Sequence, residues 1–251
     1  MRSALVLALL LCASPALAAV EQPDFSPKPG QQITLGTTLT DETGQQKTLG
    51  DFLDKRPAVV VFGYHDCPNL CGVEQQLVAK DLGGTGLAPD GYEPLFITLA
   101  PEEGPSDAKG AKQRLADAVG KASAAPWHFL SGPEVAALGE EFGITAIERE
   151  RIKQYVHPVA VFTLTPEGRI SHVLPGLDVT PNDMRLALVE ASAGKLGTVI
   201  DKIVLFCAGY DATTGRYSSL IMSILRIVSV AGLALALGAL VLLGRGRKWG
   251  T

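Results

Sequence analysis

The stretch "GYHDCPNLCG", residues 63–72, closes the apolar run "RPAVVVFGY" (56–64) and carries Cys67 and Cys71. The run is continuous and rich in β-branched residues, as in a central strand covered on both faces. Pro68 fits the first position of a helix, where a missing N–H leaves no bond unmade. The sequence therefore predicts a strand ending at Tyr64, Cys67 at the helix N-cap and Cys71 one turn in. Residues four apart share a helix face, with Cβ atoms about 5–6 Å apart. The helix dipole at that end favours thiolates and lowers a cysteine pKa. Thiolates are both nucleophiles and soft metal ligands, so the pair suits either chelation or reversible disulfide chemistry. A disulfide needs Cβ atoms nearer about 3.8 Å and would require local unwinding. A purely structural bridge gains little by closing so short a loop.

Outward from this stretch, strands and helices alternate. "ITLGTTLTDETGQQKTL" (33–49) alternates apolar and polar residues about Asp41-Glu42-Thr43-Gly44, a hairpin pattern. Residues 68–82 have apolar positions at helical spacing. "YEPLFITLA" (92–100) reads as a second buried strand, 107–122 as a helix, "WHFL" (127–130) as a short strand and 133–142 as a helix. "VAVFTLTPEGRISHVLPG" (159–176) is a hairpin turning at Pro166-Glu167-Gly168, and Thr180 caps a helix running from Pro181 to about Ala193. Residues 19–31, with Pro23, Pro27, Pro29 and Gly30, read as a flexible lead-in. The order predicts an α/β fold of thioredoxin type, a central mixed sheet flanked by helices.

Both ends of the 251-residue chain are more apolar than its middle. "MRSALVLALLLCASPALAAV" has one positive charge, a short apolar core and the small-residue pattern Ala16-Leu17-Ala18, the signature of a secretory signal peptide at 1–18. Cys12 lies inside it behind Leu11, where a lipoprotein cysteine needs a small residue. Leu220 to Leu243 is apolar on every face except Arg226, and at about 1.5 Å per residue it is long enough to cross a bilayer. Arg245, Arg247 and Lys248 follow it, and positive flanks stay cytoplasmic. The chain thus divides into a signal (1–18), a domain (19–205), a juxtamembrane segment (206–219), a transmembrane helix (220–243) and a cytoplasmic tail (244–251). Its place is the bacterial inner membrane, held by a single C-terminal span with the domain facing the periplasm. A formal net charge of −4, with no basic run outside the tail, argues against nucleic acid as a partner.

A soft ion held by two sulfurs usually takes a third ligand. Of the four histidines, His65 lies at the strand end, His128 within "WHFL" and His172 in the outer, solvated hairpin strand. His157 precedes Pro158 and the strand "VAVFTL", in a loop that a thioredoxin-like sheet places beside the cysteine helix. The segments "VVVFGYHDCPNLC", "WHFLSG" and "VHPVAVFTLTPEGRI", in that order, resemble the Sco/SenC family of copper-handling proteins over most of residues 32–195. The resemblance implies a thioredoxin-like fold and copper as cofactor, bound by Cys67, Cys71 and His157. It also implies a metallochaperone role in assembling the copper centre of a cytochrome c oxidase, with the copper-accepting subunit, or another copper enzyme, as partner. The alternative is a thiol–disulfide reductase using Cys67 and Cys71 as a redox pair to keep a target's cysteines reduced. The chain departs from the family pattern at Gly72, where proline is usual, and at Val156, where an acidic residue is common. Pro158 resembles the cis-proline of thioredoxins. Cys207, between domain and anchor, reads as a third thiolate, a resolving or intermolecular partner, or a buried thiol.

Overall fold

The computed structural model describes residues 23–67, 71–149, 154–196, 210–211, 216–217, 227–233 and 238. A hairpin of β1 (Thr38–Thr40) and β2 (Gln46–Thr48) leads through α1 (Leu49–Leu53) into β3 (Ala58–Gly63), the run "AVVVFG". Then come α2 (Cys71–Gly84), β4 (Glu93–Thr98), α3 (Pro105–Val119), the single turn α4 (Lys121–Ala124), β5 (His128–Leu130) and α5 (Val135–Glu141). A second small hairpin, β6 (Ile147–Arg149) with β7 (Gln154–Val156), precedes β8 (Ala160–Leu164), β9 (Ile170–Pro175) and α6 (Pro181–Ser192). Tyr210–Asp211 and Arg216–Tyr217 form a two-residue antiparallel pair, β10 and β11.

Five strands make one mixed sheet in the order β5-β4-β3-β8-β9. β4 runs parallel to β3, and β5 parallel to β4, while β8 is antiparallel to both β3 and β9. All six residues of β3 are buried, as its unbroken apolar sequence requires of a central strand. Successive side chains point to opposite faces. Val60, Phe62, Leu95, Ile97 and Phe162 face α1 and α5, where Leu53, Val135, Leu138 and Phe142 complete one core. Val59, Val61, Phe96, Phe129 and Val161 face α2, α3 and α6, where Val78, Leu82, Leu115, Met184 and Leu188 complete the other. The mixed sheet covered by helices agrees with the sequence reading.

Local chemistry fixes the ends of these elements. Thr48 and Thr180 each cap a helix, and Asp51 and Asp183 return the bond to the cap N–H. Gly168, at φ 77°, makes the turn of the β8–β9 hairpin. The lead-in departs from expectation: Ser26 N–H donates to the Gly143 carbonyl, Gly30 N–H to Ile170, and Phe25 packs against the core. Its prolines are compatible with a segment pinned by bonds from the residues between them. Pro158 also departs from expectation, since no peptide bond among the described residues is cis.

The expected helix start at Pro68 and the whole of the signal fall outside the described residues, as do Cys207 and most of 220–243. No helix among the described residues is long and apolar enough to cross a membrane. Residues 227–233 are helical, and Ile227, Val228, Val230 and Leu233 are each 63–68% exposed.

Gly63 ends β3 under the cysteine helix. A Cβ there would lie 2.7 Å from the Phe96 ring and 3.4 Å from Cys71 Sγ. Gly63→Ala should therefore displace a fully buried ring and cost about 1–3 kcal/mol. Urea denaturation checks this; an unchanged midpoint would show that the ring yields freely.

Candidate metal centre

Cys67 and Cys71 stand where β3 passes the chain to α2, and neither is in a disulfide. Cys67 is half-buried and Cys71 is buried. His157 stands just ahead of β8. Because β8 runs antiparallel to β3, with Val61 opposite Val161, the start of β8 and the end of β3 meet at one end of the sheet. Cys71 Sγ consequently lies 3.6 Å from His157 Nε2, across 86 residues of sequence.

The tautomer follows from the other nitrogen. His157 Nδ1 lies 2.9 Å from the Pro158 carbonyl oxygen, which can only accept, so Nδ1 carries the hydrogen. Nε2 then presents a lone pair to Cys71. Burial holds the His157 pKa below its ordinary value, which favours this neutral form. The Cys71 thiol is pushed well up, first by its hydrogen bond with Cys67 and then by burial. This corrects the expectation of a lowered cysteine pKa at Cys71. The dipole of a helix end is worth about 0.3–1 kcal/mol, too little against a shared proton in an apolar pocket.

Bonds of about 2.3 Å to sulfur and 2.0 Å to nitrogen, meeting at the angles of three- or four-coordination, separate the two donors by about 3.5–3.7 Å. The observed 3.6 Å therefore fits two ligands of one ion. Among the described residues, no three His, Cys, Asp or Glu side chains are already grouped to hold a metal. Cys67 is hydrogen-bonded to Cys71, and its charge acts on His157.

The frame around the site is polar and was not anticipated from sequence. Glu103 accepts from the backbone N–H groups of His65 (2.7 Å) and Asp66 (2.8 Å) and from Thr98 Oγ1 (2.5 Å). Arg114 donates to the His65 carbonyl at 2.6 Å. These bonds fix the backbone immediately before Cys67. On the other side Tyr155 donates to Glu102, 3.0 and 3.1 Å from its two oxygens, and packs edge-on against Tyr64. That contact ties the hairpin leading to His157 to the loop after β4. "PEEG" (101–104) reads as a solvated loop, and only its place after a buried strand hints at this work.

Near the site, the buried polar side chains of Glu74 and His65 are poorly satisfied. Glu74, 1% exposed on α2, has neither carboxylate oxygen bonded, and burial followed by the charge of Cys67 raises its pKa to about 8. His65 is 3% exposed and packed between Phe96 and Phe129, where a backbone contact with Leu130 only partly offsets its burial. The other histidines stand away from the cysteines. His128 lies 3.7 Å from Glu93 and against Phe52. His172 is paired with Glu190 at 2.8 Å with its side chain 14% exposed, so α6 covers the strand face expected to be solvated.

Burial lowers the His65 pKa from 6.5 to about 4. The neutral ring is the form the fold accepts. Its contribution is complete above the unfolded value near 6.5 and is lost as the pH falls towards 4, by up to about 3 kcal/mol. Denaturant titrations from pH 7 to pH 4 should show His65→Leu losing less stability than wild type. Parallel losses would place the acid sensitivity elsewhere.

The model of the SCO1/SenC family matches residues 27–191. Among solved structures, ScoI from Bradyrhizobium japonicum with copper bound is 22% identical, at a TM-score of 0.51 over 66% of this chain and 99% of that one. ScoI from Arabidopsis thaliana with copper bound is 15% identical, at 0.52 over 64% and 99%. A SCO1/SenC family lipoprotein from Bacillus anthracis is 16% identical, at 0.56 over 66% and 98%. No protein of curated function matches the chain. The fold is shared along nearly the whole of these structures, and with a family match spanning the sheet, both cysteines and His157, the chain belongs to the SCO1/SenC family.

Proposed function

We propose that this chain is a copper chaperone that binds one copper ion through Cys67, Cys71 and His157. It passes the ion to the copper-accepting subunit of a cytochrome oxidase or to another copper enzyme. The observation that carries this reading is the 3.6 Å approach of the neutral His157 Nε2 to Cys71 Sγ, with Cys67 hydrogen-bonded to the same sulfur. Two thiolates and an imidazole are a donor set that suits copper. The copper-bound ScoI structures from two organisms share the fold that brings the three residues to one end of the sheet.

The location belongs to the same proposal. The signal at 1–18 exports the domain, and the span at 220–243 holds it to the periplasmic face of the inner membrane. Large apolar side chains exposed along the helical residues 227–233 suit immersion in lipid.

A second reading has its own support. Half-buried Cys67 stands over buried Cys71, which suits an attacking thiol and a resolving one. As a reductase, the Cys67 thiolate attacks a target disulfide and releases one target thiol. Cys71 then resolves the mixed disulfide, freeing the second thiol and leaving Cys67 and Cys71 oxidised.

Titrating the reduced full-length chain in detergent with Cu(I), against a competing chelator, separates the two. Wild type should take up one ion. Cys67→Ser, Cys71→Ser and His157→Ala should each weaken it by about 100-fold or more. Uptake indifferent to His157, with the cysteines cycling rapidly between thiol and disulfide, would favour the reductase.

A further inference from the structure

Glu74 is the polar group the fold leaves without an internal explanation. It lies on the buried face of α2 with Cys71, Gln75, Val78 and Leu82, and it is 1% exposed. Neither carboxylate oxygen has a hydrogen-bond partner. An ionised carboxylate in such a place costs several kcal/mol unless a cation or donors answer it. An apolar residue there would simply extend the core. A carboxyl there makes sense where a cation can come to it in place of its proton.

Helix geometry says where that cation would be. Glu74 follows Cys71 by three residues, so the two share a face. Helical side chains lean towards the N-terminus, over the turn before their own Cα. A long side chain at position 74 therefore reaches back over the turn that Cys71 opens. The Cys67 charge acts on the Glu74 carboxyl, which places it in range of the outer sulfur as well.

We propose that Glu74 is an additional oxygen donor of the centre, engaged by divalent and not by monovalent copper. The reasoning is one of coordination chemistry and rests on the copper reading above. Cu(I) is content with three soft donors, and Cys67, Cys71 and His157 supply them. Cu(II) favours tetragonal coordination that includes nitrogen and oxygen ligands, and its extra charge calls for another anion. Glu74 supplies both the oxygen and the charge, so it sets the relative affinity of the site for the two oxidation states.

The test compares the full-length wild type, Glu74→Gln and Glu74→Asp in detergent, each titrated anaerobically with Cu(I) and with Cu(II). Glutamine keeps the shape without the charge, and aspartate withdraws the oxygens by one methylene. Thermal melts of the metal-free proteins establish that each variant is folded. Glu74→Gln should bind Cu(II) at least tenfold more weakly and Cu(I) within about threefold of wild type. A tenfold loss confined to Cu(II) raises the potential of the bound copper by 59 mV. The Cu(II) electron paramagnetic resonance spectrum should change in both variants, as the loss of an oxygen donor requires. Equal changes for both ions, or an unaltered Cu(II) spectrum in folded Glu74→Gln, would overturn the assignment while leaving the three-ligand centre standing. A wild type that binds neither ion would remove the copper reading and this one with it.

Discussion

The antiparallel pairing of β3 with β8 is the constraint on which the site depends. Cys71 and His157 are 86 residues apart, and neither β3 nor β8 alone says anything about the other. Pairing Ala58 with Leu164 and Val61 with Val161 places the exit of one strand beside the entrance of the next. A one-residue slip would turn Val161 and Phe162 to the wrong cores, so packing on both faces fixes the register. The functional geometry is thus held by the apolar interior. Gly63 then lets α2 approach the sheet closely enough for the buried sulfur to meet the ring.

Polar bonds refine what the core sets roughly. Glu103 and Arg114 hold the loop before Cys67 from opposite sides, one accepting from its N–H groups and one donating to its carbonyl. A net contribution of about 1 kcal/mol is typical of such a bond, more where a charge is involved. Against these gains stand Glu74, whose carboxylate oxygens are unbonded, and His65, whose ring is buried at a cost its surroundings only partly offset. Stability and site chemistry therefore pull apart within a few residues of Cys67, and the surrounding aromatic packing carries the difference.

Much of this was legible in the sequence because the relevant signals are local. "AVVVFG" admits few readings other than a central strand, and Thr180 with Pro181 and Asp183 writes out a helix start. The cysteine pair and His157 were found by spacing and by family resemblance. The β6–β7 hairpin was missed because each strand is only three residues long, too short for an alternation to show, and β6 carries Glu148 and Arg149. The pinned lead-in was missed because its bonds go to Gly143 and Ile170, far away in sequence. Glu74 was invisible for a different reason. A single acid in an amphipathic helix ordinarily marks the solvated side, and only its position three residues after Cys71 argues otherwise.

The two sulfurs are not equivalent, and their difference orders the chemistry. Cys71 is buried, hydrogen-bonded to Cys67 and held protonated, so in the resting protein it is a weak nucleophile. Cys67 is half-buried at the mouth of the site and is the sulfur a partner or an arriving ion can reach. A cation entering by Cys67 would take the place of the proton on Cys71 and would meet the His157 lone pair already turned towards it. Burial, which makes Cys71 reluctant to ionise alone, becomes favourable once the incoming charge replaces the proton. A disulfide partner arriving by the same sulfur brings no such charge, and Cys71 must ionise unaided before it can resolve the bond. On these grounds the same apolar pocket suits metal capture better than rapid thiol exchange.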